Sequence, residues 1–149
     1  MDLTPDALRE TTFRGALRGY NVDDVDDFVE IRLPADGAYL SVLRTATAGL
    51  AARLDFTIDE IEDLRIAVDE ACAMLLAQVV DGTELLCRFS VAARTLTVEV
   101  TAPTRDGRAP ARDTFAWTVL TALAGDVAAT VDSDQHLTIT LRKTAEGAA

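Results

Sequence analysis

Glu70 and Met74 lie one helical turn apart in the stretch from Asp59 to Leu76. A carboxylate one turn before a methionine is the chemical puzzle of the sequence, and Glu70 looks like a catalytic carboxylate. The thioether one turn below it is an odd companion, because methionine more often fills gaps in a core. Asp63, Ala67, Glu70 and Met74 share one line at three- and four-residue steps. Other reactive side chains are scarce. Cys72 and Cys87 are the only cysteines, and both sit in apolar patterns that suit small core residues better than ligands or nucleophiles. His136, the only histidine, adjoins a turn, where a surface position is the simpler reading. With one histidine and no clustered ligands, a zinc site or a Ser-His-Asp triad has no parts to be built from.

A helix must position Glu70. Thr57 is a good N-cap and Glu60, three residues on, completes a capping box. Ile61, Leu64, Val68, Ala71, Leu75 and Val79 recur at helical steps and form an apolar stripe for a core. The chain around it has 149 residues, 49% of them apolar, enough for one compact domain. With 25 acidic and 14 basic residues the net charge is −11. That balance argues against nucleic-acid binding, which needs clustered Lys and Arg, and suits solubility and a basic protein partner. No secretory leader pattern and no apolar run of about 18 residues is present, so a cytoplasmic protein with reduced thiols is expected.

In chain order, Thr4-Pro5 starts a short helix, Arg18-Gly19-Tyr20 breaks it, and Val22, Val25 and Phe28 sit at helical spacing among four Asp residues. Val29 to Leu33 alternates as a strand. Ala38 to Leu54 reads as a helix with Tyr39, Val42, Leu43, Ala46, Leu50 and Leu54 inward and Arg44 off the stripe. Leu85 to Val91 and Leu96 to Val100 form a hairpin around residues 92–95. Residues 102–112 are a Pro-, Gly- and Arg-containing loop. Asp113 or Thr114 caps a helix with Phe115, Val119 and Leu123 on its apolar line and Trp117 partly exposed or at a contact. Val127 to Val131 and Leu137 to Leu141 form a closing hairpin, and residues 144–149 are a frayed tail. Strands and helices in this order predict an α+β fold, a two-layer sandwich with helices covering one face of the sheet.

Residues 1–28 form a segment of their own. Leu3-Thr4-Pro5, Phe13, Arg18-Gly19-Tyr20, Asp23, Val25 and Phe28 resemble the N-terminal domain of DivIVA, a membrane-binding scaffold of Gram-positive bacteria. The resemblance implies an apolar membrane tip at Leu17, with Arg18 beside it and Arg14 nearby. A tip of this size buries only a few methylenes, at about 0.8 kcal/mol each, so one copy binds weakly. No coiled-coil heptads follow Phe28, unlike in that family. A short helical extension used for packing or dimerisation is the other reading of the segment.

Residues 29–143 carry a second resemblance. Ala67-Val68-Asp69-Glu70-Ala71-Cys72-Ala73-Met74-Leu75-Leu76 on its capped helix is similar to the motif helix of RsbW-like anti-sigma factors, which are serine kinases of the GHKL ATPase superfamily with the Bergerat fold. The stretch from Phe115 to Val127 is similar to the late helix and strand of the actinobacterial members. The resemblance implies a mixed, mostly antiparallel sheet. It implies a protein that sequesters an alternative sigma factor and switches partner to an anti-anti-sigma protein of the STAS type. ATP with Mg²⁺ as cofactor and a homodimer are implied as well. Glu70 matches the motif glutamate. Met74 stands where the family places the Mg²⁺-ligand Asn, and a soft thioether is a poor ligand for a hard cation. Ala102 replaces the Asp of the next box, unless Asp106-Gly107 takes its place in a shifted register. Phe115 and Trp117 stand where a glycine-rich box would approach phosphate.

These losses point to an anti-sigma protein that works by binding, with degraded nucleotide chemistry. Arg44 on the first long helix is the candidate partner contact. Two alternatives stay open: an active ATP-dependent serine kinase acting on the anti-anti-sigma protein, and an adaptor that places the domain at a cell pole, a membrane or a division protein through residues 1–29.

Overall fold

The computed structural model describes residues 27–146. Leu17, Arg18 and the rest of the segment read as DivIVA-like up to residue 26 lie outside the described residues. Five strands and three α-helices follow in the expected order: β1 (Asp27–Pro34), α1 (Leu40–Arg53), α2 (Ile58–Leu76), β2 (Glu84–Ala92), β3 (Thr95–Pro103), α3 (Phe115–Ala124), β4 (Asp126–Val131) and β5 (His136–Thr144). A single 3-10 turn, Gly37–Tyr39, leads into α1, with Asp36 capping it by accepting from Ala38 N–H. The strands form one sheet in the order β1-β2-β3-β5-β4, and every pairing is antiparallel.

Period-two alternation decides which face of the sheet is covered. Leu85, Cys87 and Phe89 of β2, Leu96, Val98, Val100 and Ala102 of β3, and Leu137, Ile139 and Leu141 of β5 all point into the core. Helix α2 lies over this face and packs against β3 and β5, with α1 and α3 on either side of it. Its buried residues include Leu64, Val68, Ala71 and Leu75 of the expected stripe, joined by Ala67 and Cys72. Burying each large aliphatic or aromatic side chain contributes about 1.5–3 kcal/mol. The opposite face is polar. Glu30, Arg88, Glu99 and Thr140 line up in register across four strands, so charges of opposite sign alternate. Such cross-strand neighbours contribute about 0.2–1 kcal/mol each.

Three expectations change. β1 begins at Asp27, so Phe28 is a strand residue paired with Ser90, and the Arg88 guanidinium lies 4.3 Å from its ring centroid. Helix α1 is rotated from the expected stripe. Leu43, Thr47 and Ala51 are buried, whereas Tyr39 and Val42 are each 44% exposed. Thr47 escaped notice because it is polar; its hydroxyl donates to Leu43 C=O at 2.7 Å, and this internal bond lets it enter the core. In α3 the inward residues are Trp117, Leu120 and Ala124, while Phe115 is 84% exposed. The three inward residues follow the i, i+3, i+7 rule one step out of phase with the expected line.

The chain is also held past Thr144, where fraying was expected. Ala145 is buried, and Glu146 N–H donates to the carboxylate of Glu60 at 2.8 Å. The other oxygen of Glu60 accepts from Thr57 N–H at 2.8 Å, and Thr57 Oγ1 accepts from Glu60 N–H at 3.1 Å. The capping box therefore fixes the start of α2 and ties Glu146, just after β5, to it.

Candidate functional site

Helix α2 sets Glu70 and Met74 on a flank that is half-buried. Met74 packs against the core cluster. Glu70 has no ion-pair or hydrogen-bond partner among the described residues. Its neighbour Asp69 does: Asp69 Oδ2 lies 3.3 Å from Arg44 Nη1, an ion pair that bridges α2 and α1. Arg44 keeps a side-chain exposure of 40% in that pair, so its guanidinium is reachable from solvent. On the same line of α2, Ala67 is fully buried, and Asp63 lies 4.0 Å from Lys143 Nζ.

Ala102 is 1% exposed at the end of β3, paired with Leu137, and offers no polar side-chain group. The loop that follows is laced to the C-terminal end of α2, one turn beyond Met74. Val80 N–H donates to Pro103 C=O at 3.0 Å, and Arg105 N–H donates to Gln78 C=O at 2.9 Å. The Arg105 guanidinium donates to Ala77 C=O at 2.8 Å, one of the helix-end carbonyls that needs a partner. Gln78 returns a side-chain bond to Arg108 C=O at 3.0 Å. On its other side the loop is tied to the β4–β5 turn. Thr104 donates to Gln135 C=O through both its N–H, at 3.0 Å, and its hydroxyl, at 2.8 Å.

Gly107 has φ +62°, a conformation glycine reaches without strain. Its N–H, the kind of group that meets an oxyanion in a glycine-rich loop, is donated instead to Thr104 Oγ1 at 2.9 Å. Asp106 is exposed. The structure thus brings the Asp106-Gly107 loop beside the end of the Glu70 helix, but through Ala77, Gln78 and Val80. Trp117, expected to be partly exposed or at a contact, is 6% exposed under the Arg112 guanidinium, which lies 5.2 Å from its ring. Thr114 caps α3 by accepting from Trp117 N–H at 3.2 Å.

Both cysteines are fully buried, and burial pushes each thiol up to about 12. Thiolate chemistry is therefore closed to Cys72 and Cys87 at neutral pH. Sequence reasoning missed one cluster. Asp132, Asp134 and His136 have ligand atoms within 4.8 Å of one another. Asp132 Oδ1 already accepts N–H bonds from Asp134 and His136 at 2.9 Å each, and Oδ2 faces His136 Nδ1 at 3.3 Å. The N–H bond from His136, outweighing slight burial, holds the Asp132 carboxyl below its ordinary range. The Asp-x-Asp-x-His spacing was the available signal, and the carboxylate serves the turn. A cleft lined by Pro34, Ala35, Asp36, Gly82, Thr83 and Glu84 includes none of the candidate site residues. No helix among the described residues is long and apolar enough to cross a membrane.

No protein-family profile matches the chain. Curated relatives do match in part. The serine-protein kinase RsbW of Bacillus subtilis is 48% identical over 46 residues, 31% of this chain and 29% of that protein. RsbW of Bacillus licheniformis is 40% identical over 68 residues, 44% of this chain and 42% of that protein. The chain thus spans less than half the length of these relatives. A crystal structure of the RsbU and RsbW domains of a Mycobacterium tuberculosis protein superposes with a TM-score of 0.62 at 15% identity, covering 80% of this chain and 32% of that one. The chain is homologous over part of its length to RsbW serine-protein kinases and has the α+β, antiparallel-sheet fold found in that RsbW structure.

Proposed function

We propose that this protein is a partner-switching regulator that acts by binding. It holds an alternative sigma factor and exchanges it for an anti-anti-sigma protein of the STAS type, without nucleotide chemistry of its own. One observation carries the reading. By its resemblance to the RsbW motif helix, Glu70 matches the motif glutamate, while Met74 stands at the cation-ligand position and offers a thioether where a hard cation needs oxygen. The surroundings support it: Ala102 has no polar group for a base, and the Gly107 N–H is committed to Thr104. The side chains present do not fit a magnesium–nucleotide complex. A regulator can keep its fold and partner surface after losing a chemical activity.

Arg44 is the proposed contact for the partner, because it stands half-exposed between α1 and α2 and carries a guanidinium that can bind carboxylate bidentately. The acidic surface suits a basic face on the sigma factor. Co-purification from cells with a tagged protein tests the reading. Recovery of a sigma factor, displaced by a STAS-type protein, is expected; recovery of neither overturns it. The resemblance also implies a homodimer. A monomer mass in sedimentation equilibrium at micromolar concentration would contradict that part.

A second reading has its own support, since the partial relatives are named serine-protein kinases and Glu70 is retained. An active kinase requires phosphate transfer from Mg-ATP to a Ser of the partner, abolished in Glu70→Ala. Transfer that persists in that variant, or none in the native protein, removes the reading.

A further inference from the structure

We propose that the approach to α3, formed by Phe115 and the Arg105–Arg112 loop, is a docking surface for an acidic, apolar-containing segment of a partner protein. Phe115 is 84% exposed at the first position of the helix, the most exposed large apolar residue among the described residues. An aromatic ring held in water on a folded surface gains contact only when something covers it. Three guanidinium groups, at Arg105, Arg108 and Arg112, belong to the loop that leads into it. Arg105 is engaged with Ala77 C=O and Arg112 lies over Trp117, while the Arg108 side chain has no partner among the described residues.

The charge pattern selects the occupant. On a chain of net charge −11, residues 105–113 carry three Arg against the two Asp at 106 and 113, so the sign is reversed locally. A general acidic surface repels acidic partners, and a basic spot with an aromatic beside it gives such a partner one place to land. Arg and aromatic side chains are also the types that concentrate binding energy at interfaces. The bonds to Gln78, Ala77 and Gln135 already order the loop, so little backbone freedom is lost on docking. This surface stands independently of the anti-sigma reading and of the Arg44 contact.

Trp117, the only tryptophan, lies under Arg112 and reports on the surface. The full chain is titrated with a short amphipathic peptide of Glu and Leu. A Lys–Leu peptide and a mixed-sequence single-stranded oligonucleotide serve as the other arms. The expected result is a saturable change in Trp117 fluorescence with the acidic peptide alone, weakened by salt. Binding should fall on the order of tenfold in Phe115→Ser and in Arg108→Glu. Arg108→Glu leaves the loop bonded, because the backbone carbonyl, not the side chain, meets Gln78. No response to the acidic peptide, a response in either variant as strong as in the native protein, or an equal response to the Lys–Leu peptide would overturn the proposal. Tighter binding of the oligonucleotide would do so as well, assigning the surface to nucleic acid.

Discussion

Glu60 offers the sharpest test of how α2 is held. It is 4% exposed, and its two carboxylate oxygens accept from Thr57 N–H and Glu146 N–H at 2.8 Å each. Replacing Glu60 by Gln keeps one acceptor oxygen and turns an NH₂ toward the other N–H, so donor faces donor. A hydrogen bond to a charged acceptor contributes about 1.5–3 kcal/mol. Thr57 and Glu146 are themselves exposed, so their N–H groups can recover water, and the expected net loss is about 2 kcal/mol. For a domain of this size that lowers Tm by roughly 4–8 °C. The variant also changes the pH profile. Burial pushes the Glu60 carboxyl up, but the N–H bonds from Thr57 and Glu146, the Thr57 hydroxyl and the Lys143 charge together hold it below its ordinary value of 4.5. The folded state therefore favours the carboxylate. Its stabilisation is fully present above 4.5 and is lost as pH falls through the lowered folded value. Urea unfolding of the two proteins side by side should show a gap that is constant near neutral pH and closes in acid. A Gln variant within about 0.5 kcal/mol of the native protein at pH 7, or a gap that does not narrow in acid, would refute this account of the capping box.

Other outcomes follow from single contacts. Arg44→Ala should change stability by less than about 1 kcal/mol, because its pair with Asp69 is 40% and 35% exposed, yet weaken capture of the sigma factor by at least roughly tenfold. Unchanged capture removes Arg44 from the partner surface. Gly107→Ala forces a left-handed backbone at φ +62° and sets a methyl 3.0 Å from Gln135 Cγ, so thermal melting should report a loss of about 1–2 kcal/mol. Iodoacetamide should label neither Cys72 nor Cys87 in the folded protein at pH 7.5 and both after unfolding, since burial pushes each thiol up to about 12. Mass spectrometry showing rapid native labelling would contradict that burial.

Much of the fold was legible because it is written in short periods. The capping box at Thr57 and Glu60, the stripe of Leu64, Val68, Ala71 and Leu75, and the two hairpins all follow local rules. Two helical faces were misread for a common reason. Counting apolar residues placed Tyr39, Val42 and Phe115 inside, whereas Thr47 and Trp117 are there instead. The Thr47 hydroxyl is satisfied within its own helix, and Trp117 is covered by a guanidinium from the preceding loop. The candidate site was legible only as residue types. Glu70 and Met74 are visible one turn apart, and Ala102 and Gly107 mark the altered loop. That Arg105 and Gln78 bond the loop to the end of α2 depends on residues 27 positions apart meeting in space, which no local pattern announces. The pairing of Arg44 with Asp69, 25 residues apart, is hidden in the same way.

The central claim is that a helix similar to that of a kinase has become part of a binding protein. Isothermal calorimetry of the purified protein with ATP, with and without Mg²⁺, tests it most directly. No heat of binding at millimolar nucleotide, with or without the metal, is the predicted result, in keeping with the thioether of Met74 and the committed N–H of Gly107. Saturable, Mg²⁺-dependent binding that disappears in Glu70→Ala would contradict it.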